Sequence, residues 1–372
     1  MVDARQVPTT SASLADGRTI NYYDDVPGGN HSQVDGRDLE TMTSVSELRF
    51  DPLQDEWVIV ASHRQERTHL PPPAECPLCP STTGQATEIP SPEYDVVVFE
   101  NRFPSLTAQP ANEAGPDLLR VANGVGRCEV ICFSSDHETS FSQLSDQRLS
   151  TIADSIVDRT RELSTLSGVE YVLVFENRGS EVGVTLHHPH GQIYGYPFIP
   201  PKPLRALQAA KRFNATGGGC LFCAVLESEV EDGRRIVAKR DGFVAYVPSA
   251  ARWPYEVHIS PVEHMADLED LSRGQRLELL RLQADVIAGF DGLFGEPIPY
   301  LATLFQAPVA HMRDLAHLRV EVVSPRRAPG KLKYLAASES AAGAFVNDVV
   351  PERAAIELRL SLADHSRGGK HA

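Results

Sequence analysis

Alternating apolar and polar residues predict a series of β-strands in the first half of the chain. The clearest strand patterns, in chain order, are ELRFD, EWVIV, DVVVFENRF, RCEVICFS, EYVLVFENR and GQIYGYPFI. A helix is predicted over residues 145–163, because Leu149, Ile152, Ile156 and Leu163 recur at helical spacings. The prolines of IPPKP then end this unit, since proline cannot continue a strand ladder.

The second half repeats this order. Strand patterns RRIVAKR, FVAYVPS and YEVHIS precede a helical pattern around residues 268–290, and YLATLFQ and HLRVEVVS follow it. CEVICFSSDHETSFSQLS echoes YEVHISPVEHMADLEDLS, since each is a strand, a turn, a histidine and the entry to a helix. We therefore predict a duplicated unit, with one half at residues 47–205 and the other at 206–372. Residues 1–46 lack sustained periodicity and are expected to form a flexible tail, with a short strand at RTINYYD.

Composition narrows the class of protein. The chain has 372 residues, 42% of them hydrophobic, and a net charge of −15 without a run of lysines and arginines. This balance argues against a surface dedicated to nucleic acid. The N-terminus has no apolar signal region and no 18-residue apolar run occurs, so we expect a cytoplasmic protein that does not enter a membrane.

Two CxxC pairs among six cysteines indicate metal binding in a reducing compartment. The first unit offers Cys76, Cys79, His137 and one histidine of HHPH, with His188 as the candidate. The corresponding residues of the second unit are Cys220, Cys223, His264 and His317. The separations His137–His188 and His264–His317 are 51 and 53 residues, as expected if each unit holds one ion. Four Cys and His ligands favour a closed, structural zinc site in each half. A pair of buried thiols or a redox pair is the alternative for either CxxC.

The stretch TLHHPHGQIYGY carries the candidate nucleophile. In a strand, residues two apart share a face, so His188, His190 and Gln192 point to one side and His187 points away. With His188 on the metal, His190 is held beside it and free to attack a phosphoric anhydride, forming a phosphoramidate. Gln192 can donate to the transferred group, and the glycines of NRGSEVG let backbone approach phosphate oxygens. A core or metal-only role is the alternative for this short motif.

FENRGSEVGVTLHHPHGQIYG, together with CPLC, DPLQDEWVIVASHRQER, VFENRFPSL and ICFSSDH, resembles the galactose-1-phosphate uridylyltransferase family of the histidine-triad superfamily. The resemblance covers roughly residues 47–348. It implies an α+β fold of two histidine-triad-like halves, each an antiparallel sheet with packed helices, assembled as a homodimer. It also implies a ping-pong reaction: His190 attacks the α-phosphorus of UDP-glucose, glucose 1-phosphate leaves, and galactose 1-phosphate takes the uridylyl group to give UDP-galactose.

The same resemblance assigns roles to further residues. Gln192 would hydrogen-bond the transferred phosphoryl group. The other implied contacts are Asn177, Gly183 and Thr185 to the phosphates, Arg64 and Arg67 as a phosphate clamp, Asn101 to the nucleoside, and Lys333 and Glu339 to the sugar phosphate. Without the family, both arginines would be interpreted as solvated surface residues.

The chain also departs from the catalytic pattern in its second half. That half has His317, Arg319 and Glu321 where the first has His188, His190 and Gln192. Arginine stays protonated and cannot be a nucleophile, so only the first half should be catalytic. No counterpart is evident for the helix-borne glutamate that some relatives use to bind iron, so we expect zinc without iron.

Three other functions fit parts of the pattern. Adenylyl transfer on ADP-glucose would use the same chemistry with a different base pocket. Hydrolysis of the nucleotidyl-histidine would be marked by a third histidine at position 192, where this chain has glutamine. A non-catalytic zinc-scaffolded binding module would leave HPHGQ, Arg64 and Arg67 without a joint explanation.

Overall fold

A computed structural model of the chain describes residues 7–41, 43, 45–66, 70–107 and 115–368. The described residues form strands throughout both halves of the chain. These strands are β1 (Thr9–Ser13), β2 (Thr19–Tyr23), β3 (Glu47–Asp51), β4 (Glu56–Val60), β5 (Val96–Glu100), β6 (Val121–Asn123), β7 (Arg127–Cys132), β8 (Tyr171–Arg178), β9 (His190–Tyr196), β10 (Ile236–Arg240), β11 (Phe243–Tyr246), β12 (Tyr255–Pro261), β13 (Tyr300–Phe305), β14 (Arg319–Ser324), β15 (Arg326–Ala328) and β16 (Lys331–Leu332).

Helices connect and follow these strands. They are α1 (Asp146–Ser164), α2 (Pro201–Ala215), α3 (Leu221–Asp232), α4 (Arg273–Gly292), α5 (Ala337–Ser340) and α6 (Pro351–Gly368). The two long helices anticipated from apolar periodicity are α1 and α4. Each begins after a serine N-cap, where Ser145 accepts the backbone N–H of Arg148 and Ser272 accepts that of Gln275.

Eleven strands form one sheet in the order β1-β2-β5-β7-β9-β8-β13-β14-β12-β11-β10. Each neighbouring pair is antiparallel, and β8 of the first half joins β13 of the second, with Phe175 opposite Thr303. The run β5-β7-β9-β8 therefore mirrors β11-β12-β14-β13 across this seam. The antiparallel, duplicated α+β fold expected from the sequence is confirmed.

Helices α1 and α4 cover one face of the sheet, and in the first half the opposite face is left for chemistry. α1 packs on β5, β8 and β9, and α4 packs on the strands of the second half and on α6. The main core lies beneath them and includes Val174 of β8 and Ile193 of β9. Since side chains alternate along a strand, Phe175 and Gln192 point to the opposite face. There a small sheet, β4-β3-β6, packs Leu48 against Tyr194.

The N-terminal segment is packed against the sheet. The prediction of a flexible tail over residues 1–46 is wrong for residues 7–41, because β1 and β2 pair with each other and β2 pairs with β5. Ile20 and Tyr23 are fully buried. The strand expected at RTINYYD is β2. Burial of its apolar side chains against the sheet outweighs the polar composition around it.

Local pattern did not anticipate α2, α3 and α6. Cys220 is the N-cap residue of α3, so the second CxxC motif lies at the start of this helix. The element before it is another helix, α2, and not a strand. Prolines begin α2 and α6, where a missing N–H costs nothing at the first helical turn. In the part of the chain that the structure describes, no helix combines the length and the apolar composition needed to cross a bilayer.

Candidate active site

His190 begins strand β9 and lies on the face of the sheet opposite α1. Its Nδ1 lies 2.7 Å from the backbone carbonyl oxygen of His188, so Nδ1–H donates to that oxygen and Nε2 keeps its lone pair. Burial lowers the pKa of His190, against the smaller opposite effect of this hydrogen bond. The ring is therefore neutral near pH 7, and an oriented neutral imidazole can act as a nucleophile.

A cavity of about 370 Å³ opens over this ring. Seven of the residues that sequence analysis singled out line it together: Arg64, Asn101, Asn177, Gly183, Thr185, His190 and Gln192. Apolar side chains form another part of its wall: Pro77, Leu78, Phe99, Val130 and Phe175. A pocket with an apolar slot and a few convergent polar groups suits a ligand that has a flat ring and an anionic group. His187, by contrast, is exposed on the loop.

Gln192 is oriented by a neighbour on its own strand. The Tyr194 hydroxyl donates to the Gln192 Oε1 at 2.8 Å, which leaves the amide N–H groups as donors toward the cavity. Residues two apart on a strand share a face, so this pairing follows from their spacing. Sequence analysis did not single out Tyr194, although the same spacing along GQIYGY could have identified it.

Arg64 and the loop after β5 form the rim. The Arg64 Nη1 donates to the Phe103 carbonyl oxygen at 2.6 Å, and the Asn101 side chain accepts the Phe103 backbone N–H at 2.8 Å. These contacts fix a guanidinium beside the cavity while leaving further N–H groups for an anion. Gly183 ends the preceding turn with φ of 82°, a conformation that glycine adopts without strain.

Two of the predicted contacts, Lys333 and Glu339, do not line this cavity. Arg67 lies outside the described residues. Lys333 and Glu339 form an ion pair with each other, with Nζ and Oε1 3.0 Å apart, and neither lines the cavity of His190. Lys333 also donates to the Val346 carbonyl oxygen.

The first Cys and His group lies directly behind the nucleophile. Cys76, Cys79, His137 and His188 each offer a ligand atom, and all four atoms lie within 4.8 Å of one another. The His188 Nε2 is 2.8 Å from the Ser134 carbonyl oxygen, so Nε2–H donates there and Nδ1 faces the sulfurs. Burial lowers the pKa of His188 to about 4, which keeps the ring neutral and able to ligate. This donor set fits a tetrahedral metal ion with an ordered outer shell.

The second half repeats the arrangement. Cys220, Cys223, His264 and His317 also converge within 4.8 Å. The His317 Nε2 lies 3.1 Å from the Pro261 carbonyl oxygen, which is the counterpart of the bond to Ser134. Burial lowers the pKa of His317 to about 4. Each half can therefore hold one metal ion in a similar cage.

The second half has an ion cluster where the first has its nucleophile. β14 begins at Arg319 as β9 begins at His190, and the Arg319 Nε lies 2.9 Å from Glu321 Oε1. Lys202 of α2 pairs with the same carboxylate. Glu256, His258 and Glu321 group closely enough to bind a metal, but the two cations already neutralise Glu321. The position equivalent to His190 is thus filled by a guanidinium that cannot attack.

Comparisons with known proteins agree with this geometry. Residues 37–200 match the family model described as galactose-1-phosphate uridyl transferase, N-terminal domain, and residues 206–367 match its C-terminal domain. A galactose-1-phosphate uridylyltransferase of Streptomyces lividans is 42% identical, over 96% of this chain and 99% of the relative. A solved uridylyltransferase structure superposes with a TM-score of 0.76 at 31% identity, over 86% of this chain and 99% of that one. An ADP-glucose phosphorylase from Arabidopsis thaliana has a TM-score of 0.65 at 22% identity, over 84% and 98%, and shows the fold alone.

Proposed function

The chain belongs to the galactose-1-phosphate uridylyltransferase family, and we propose that His190 is the nucleophile of its uridylyl transfer. The enzyme exchanges UMP between UDP-glucose and galactose 1-phosphate. Relatives that share close to half of its sequence carry the uridylyl name, whereas the ADP-glucose enzyme is similar in fold only. Uridylyl transfer is therefore the better supported of the two nucleotidyl reactions.

In the first step, the His190 Nε2 lone pair forms a bond to the α-phosphorus of UDP-glucose. The bond from that phosphorus to the bridging oxygen breaks, and glucose 1-phosphate leaves with the electron pair. In the second step, a phosphate oxygen of galactose 1-phosphate attacks the same phosphorus, and the imidazole leaves. The Nδ1–H bond to His188 stabilises the positive charge that the ring acquires while it carries UMP.

Other residues of the cavity bind and orient. The Gln192 amide N–H groups can donate to the charge that develops on the α-phosphoryl oxygens, because Tyr194 occupies the amide oxygen. Arg64, Asn177, Gly183 and Thr185 are proposed phosphate contacts, and Asn101 a nucleoside contact. We also propose that Arg67 binds a phosphate of the substrate and that Lys333 and Glu339 bind the sugar phosphate. The last two require a partner subunit or a rearrangement, since they lie outside this cavity.

We further propose zinc in both cages, a homodimer and a cytoplasmic location. Two thiolates and two imidazoles in each half suit zinc, which would be structural because four protein ligands leave no open position. In the first half the ion would hold His188, and through its carbonyl the ring of His190. Residues 47–205 would then be the catalytic half and 206–372 the non-catalytic half.

The observation that carries this proposal is the His190 ring, held by the His188 carbonyl oxygen at 2.7 Å in the wall of a cavity. Incubation with UDP-glucose labelled in the uracil, followed by denaturation, should trap one label per chain. The bond should be labile in acid and stable in alkali, as a phosphoramidate is. His190→Ala should abolish labelling, and His190→Gly with added imidazole should restore turnover.

His187→Ala is the matched control, because it removes an exposed imidazole from the same motif. This variant should be labelled like the wild type. Labelling that persists in a folded His190→Ala variant would exclude this nucleophile. The fold of each variant is checked by its thermal unfolding.

A further inference from the structure

The N-terminal segment, residues 7–41, reaches the wall of the substrate cavity through two arginines, the buried Arg18 and the partly buried Arg37. The Arg18 Nη2 lies 2.5 Å from Glu88 Oε2, and the Arg37 Nη1 lies 2.8 Å from Glu88 Oε1. Glu88 itself lines the cavity that holds His190. Arg18 precedes the matched family domain and Arg37 is its first residue, since the match covers residues 37–200.

Glu88 presents a problem for a site that must bind a pyrophosphate. Its side chain is only 8% exposed, and an unpaired carboxylate in this wall would repel the anionic substrate. Burial alone would raise the pKa of Glu88, but Arg18 and Arg37 lower it overall, so the carboxylate is ionised and paired. Each oxygen of this carboxylate is thus paired with a guanidinium, so the wall does not present it unpaired.

The same network extends to the end of β5 and the loop after it, which forms part of the cavity rim. The Arg18 Nη1 donates to the Glu100 carbonyl oxygen at 2.8 Å, next to Asn101. At the rim, the Arg102 Nη1 lies 3.5 Å from Glu88 Oε1.

Within the N-terminal segment, Asp16 pairs with Arg18 and Asp35 pairs with Arg37. The network of three carboxylates and three guanidinium groups is therefore neutral, and loss of one arginine leaves it with a net negative charge.

The segment does not depend on Arg37 for its attachment. β2 pairs with β5 over four residues. His31 stacks on Tyr22 with ring centroids 4.1 Å apart, and its ring nitrogens contact Asp24 and Ser91. Removal of a single guanidinium should therefore change the charge of the wall while the strands stay in place.

We propose that the N-terminal segment tunes substrate binding, with Arg18 and Arg37 as positioning residues that neutralise Glu88 in the cavity wall. The inference rests on the proposed function, because it takes this cavity as the site of the nucleotide sugar. It predicts effects of opposite sign for two substitutions. Loss of Arg37 weakens binding of the anionic substrate, whereas loss of the Glu88 charge strengthens it.

The test compares KM for UDP-glucose and kcat in Arg37→Ala, Glu88→Gln and the double variant. Arg37→Ala should raise KM about tenfold with kcat within about twofold, because a charge near the site acts on binding of both ground and transition states. Glu88→Gln should lower KM about threefold, and the double variant should return close to the wild-type value. Arg37→Lys should restore most of the binding.

Arg353→Ala is the matched control, since it removes an exposed guanidinium that pairs with Glu357 on α6. A rise of KM in Glu88→Gln would overturn the inference by making Glu88 a direct substrate contact. A double variant whose KM stays as high as that of Arg37→Ala would also overturn the inference. The rise in KM would then come from the loss of structural support by Arg37 and not from the charge of Glu88. Failure of the proposed function would appear differently, as an absence of uridylyl labelling in the wild type.

Discussion

The Nδ1 of His190 lies 2.7 Å from the carbonyl oxygen of His188, whose own Nδ1 faces the sulfur of Cys79 at 3.5 Å. One residue thus contributes its side chain to the metal cage and its backbone to the nucleophile. The cage fixes His188, and the backbone carbonyl of His188 in turn holds the ring of His190 by a hydrogen bond. The second half contains a similar cage, but that cage positions no nucleophile. Arg319 stands two residues after His317, where the first half has His190 two residues after His188.

Loss of a ligand in the first cage should therefore impair catalysis more than loss of its counterpart. Cys79→Ser and Cys223→Ser each remove one thiolate from equivalent cages. With one zinc ion in each cage, as proposed, each variant should lose one ion per chain. Cys79→Ser should lower kcat about 100-fold, because a small displacement of a reacting group has effects of that size. Cys223→Ser should keep kcat within a few-fold. Zinc content by atomic emission and steady-state kinetics provide the measurements, and equal losses of activity would contradict this asymmetry.

Tyr194→Phe should weaken transition-state stabilisation by releasing the Gln192 side chain. The variant frees the Gln192 amide oxygen, so the amide can rotate and turn its oxygen toward the phosphoryl group. The expected fall in kcat is about three- to tenfold, which corresponds to one net hydrogen bond. Gln192→Ala should cost more.

The control for this variant is Tyr196→Phe, which removes a hydroxyl two residues further along β9. It should leave kcat unchanged. If the two phenylalanine variants behaved alike, the orientation of Gln192 by Tyr194 would have no role in catalysis.

Strand periodicity explains how much of this site the sequence could predict. The two-residue spacing places His190 and Gln192 on one face, and the order of CxxC, His and His indicates both cages. The structure brings these residues together as the pattern suggests.

The features that the sequence did not predict depend on contacts between residues that are far apart in the chain. Glu88 follows no motif, and its partners Arg18 and Arg37 lie 70 and 51 residues away. The sequence predicts the β2 strand but not its packing within an ordered N-terminal segment, because the composition around it is polar and the burial depends on pairing with β5. Pairing between Lys333 and Glu339, and their position outside the cavity, likewise depend on tertiary packing.

Arg319→Ala should lower stability but not the stoichiometry of uridylyl labelling. Glu321 is buried and would keep Lys202 as its cation while losing the bond to Arg319. The free energy of unfolding should fall by about 2 kcal/mol, as expected for one charged hydrogen bond removed from a buried group. Urea unfolding and label counting provide the measurements. A label count below that of the wild type in this folded variant would mean that Arg319 takes part in uridylyl transfer.

Glu176 should make the protein less stable as pH rises toward neutrality. This carboxyl group lies on the helix face of β8, where the Tyr300 hydroxyl donates to its Oε1 at 2.7 Å. Burial raises the pKa of Glu176 to about 7, against the smaller lowering effect of this hydrogen bond. Between the ordinary pKa of a glutamate and 7, the folded state holds a proton that the unfolded state has released. The stabilisation is therefore complete at low pH and is lost as pH rises through about 7.

Glu176→Gln should remove this dependence, because an amide of the same shape stays neutral. The free energy of unfolding of this variant, relative to the wild type, should rise by about 3 kcal/mol between pH 4.5 and pH 8. Denaturant titrations across that range measure the difference. Tyr300→Phe removes the hydrogen bond that lowers this pKa, so its transition should move to higher pH. Parallel stability curves for wild type and Glu176→Gln would mean that Glu176 is already ionised in the folded protein.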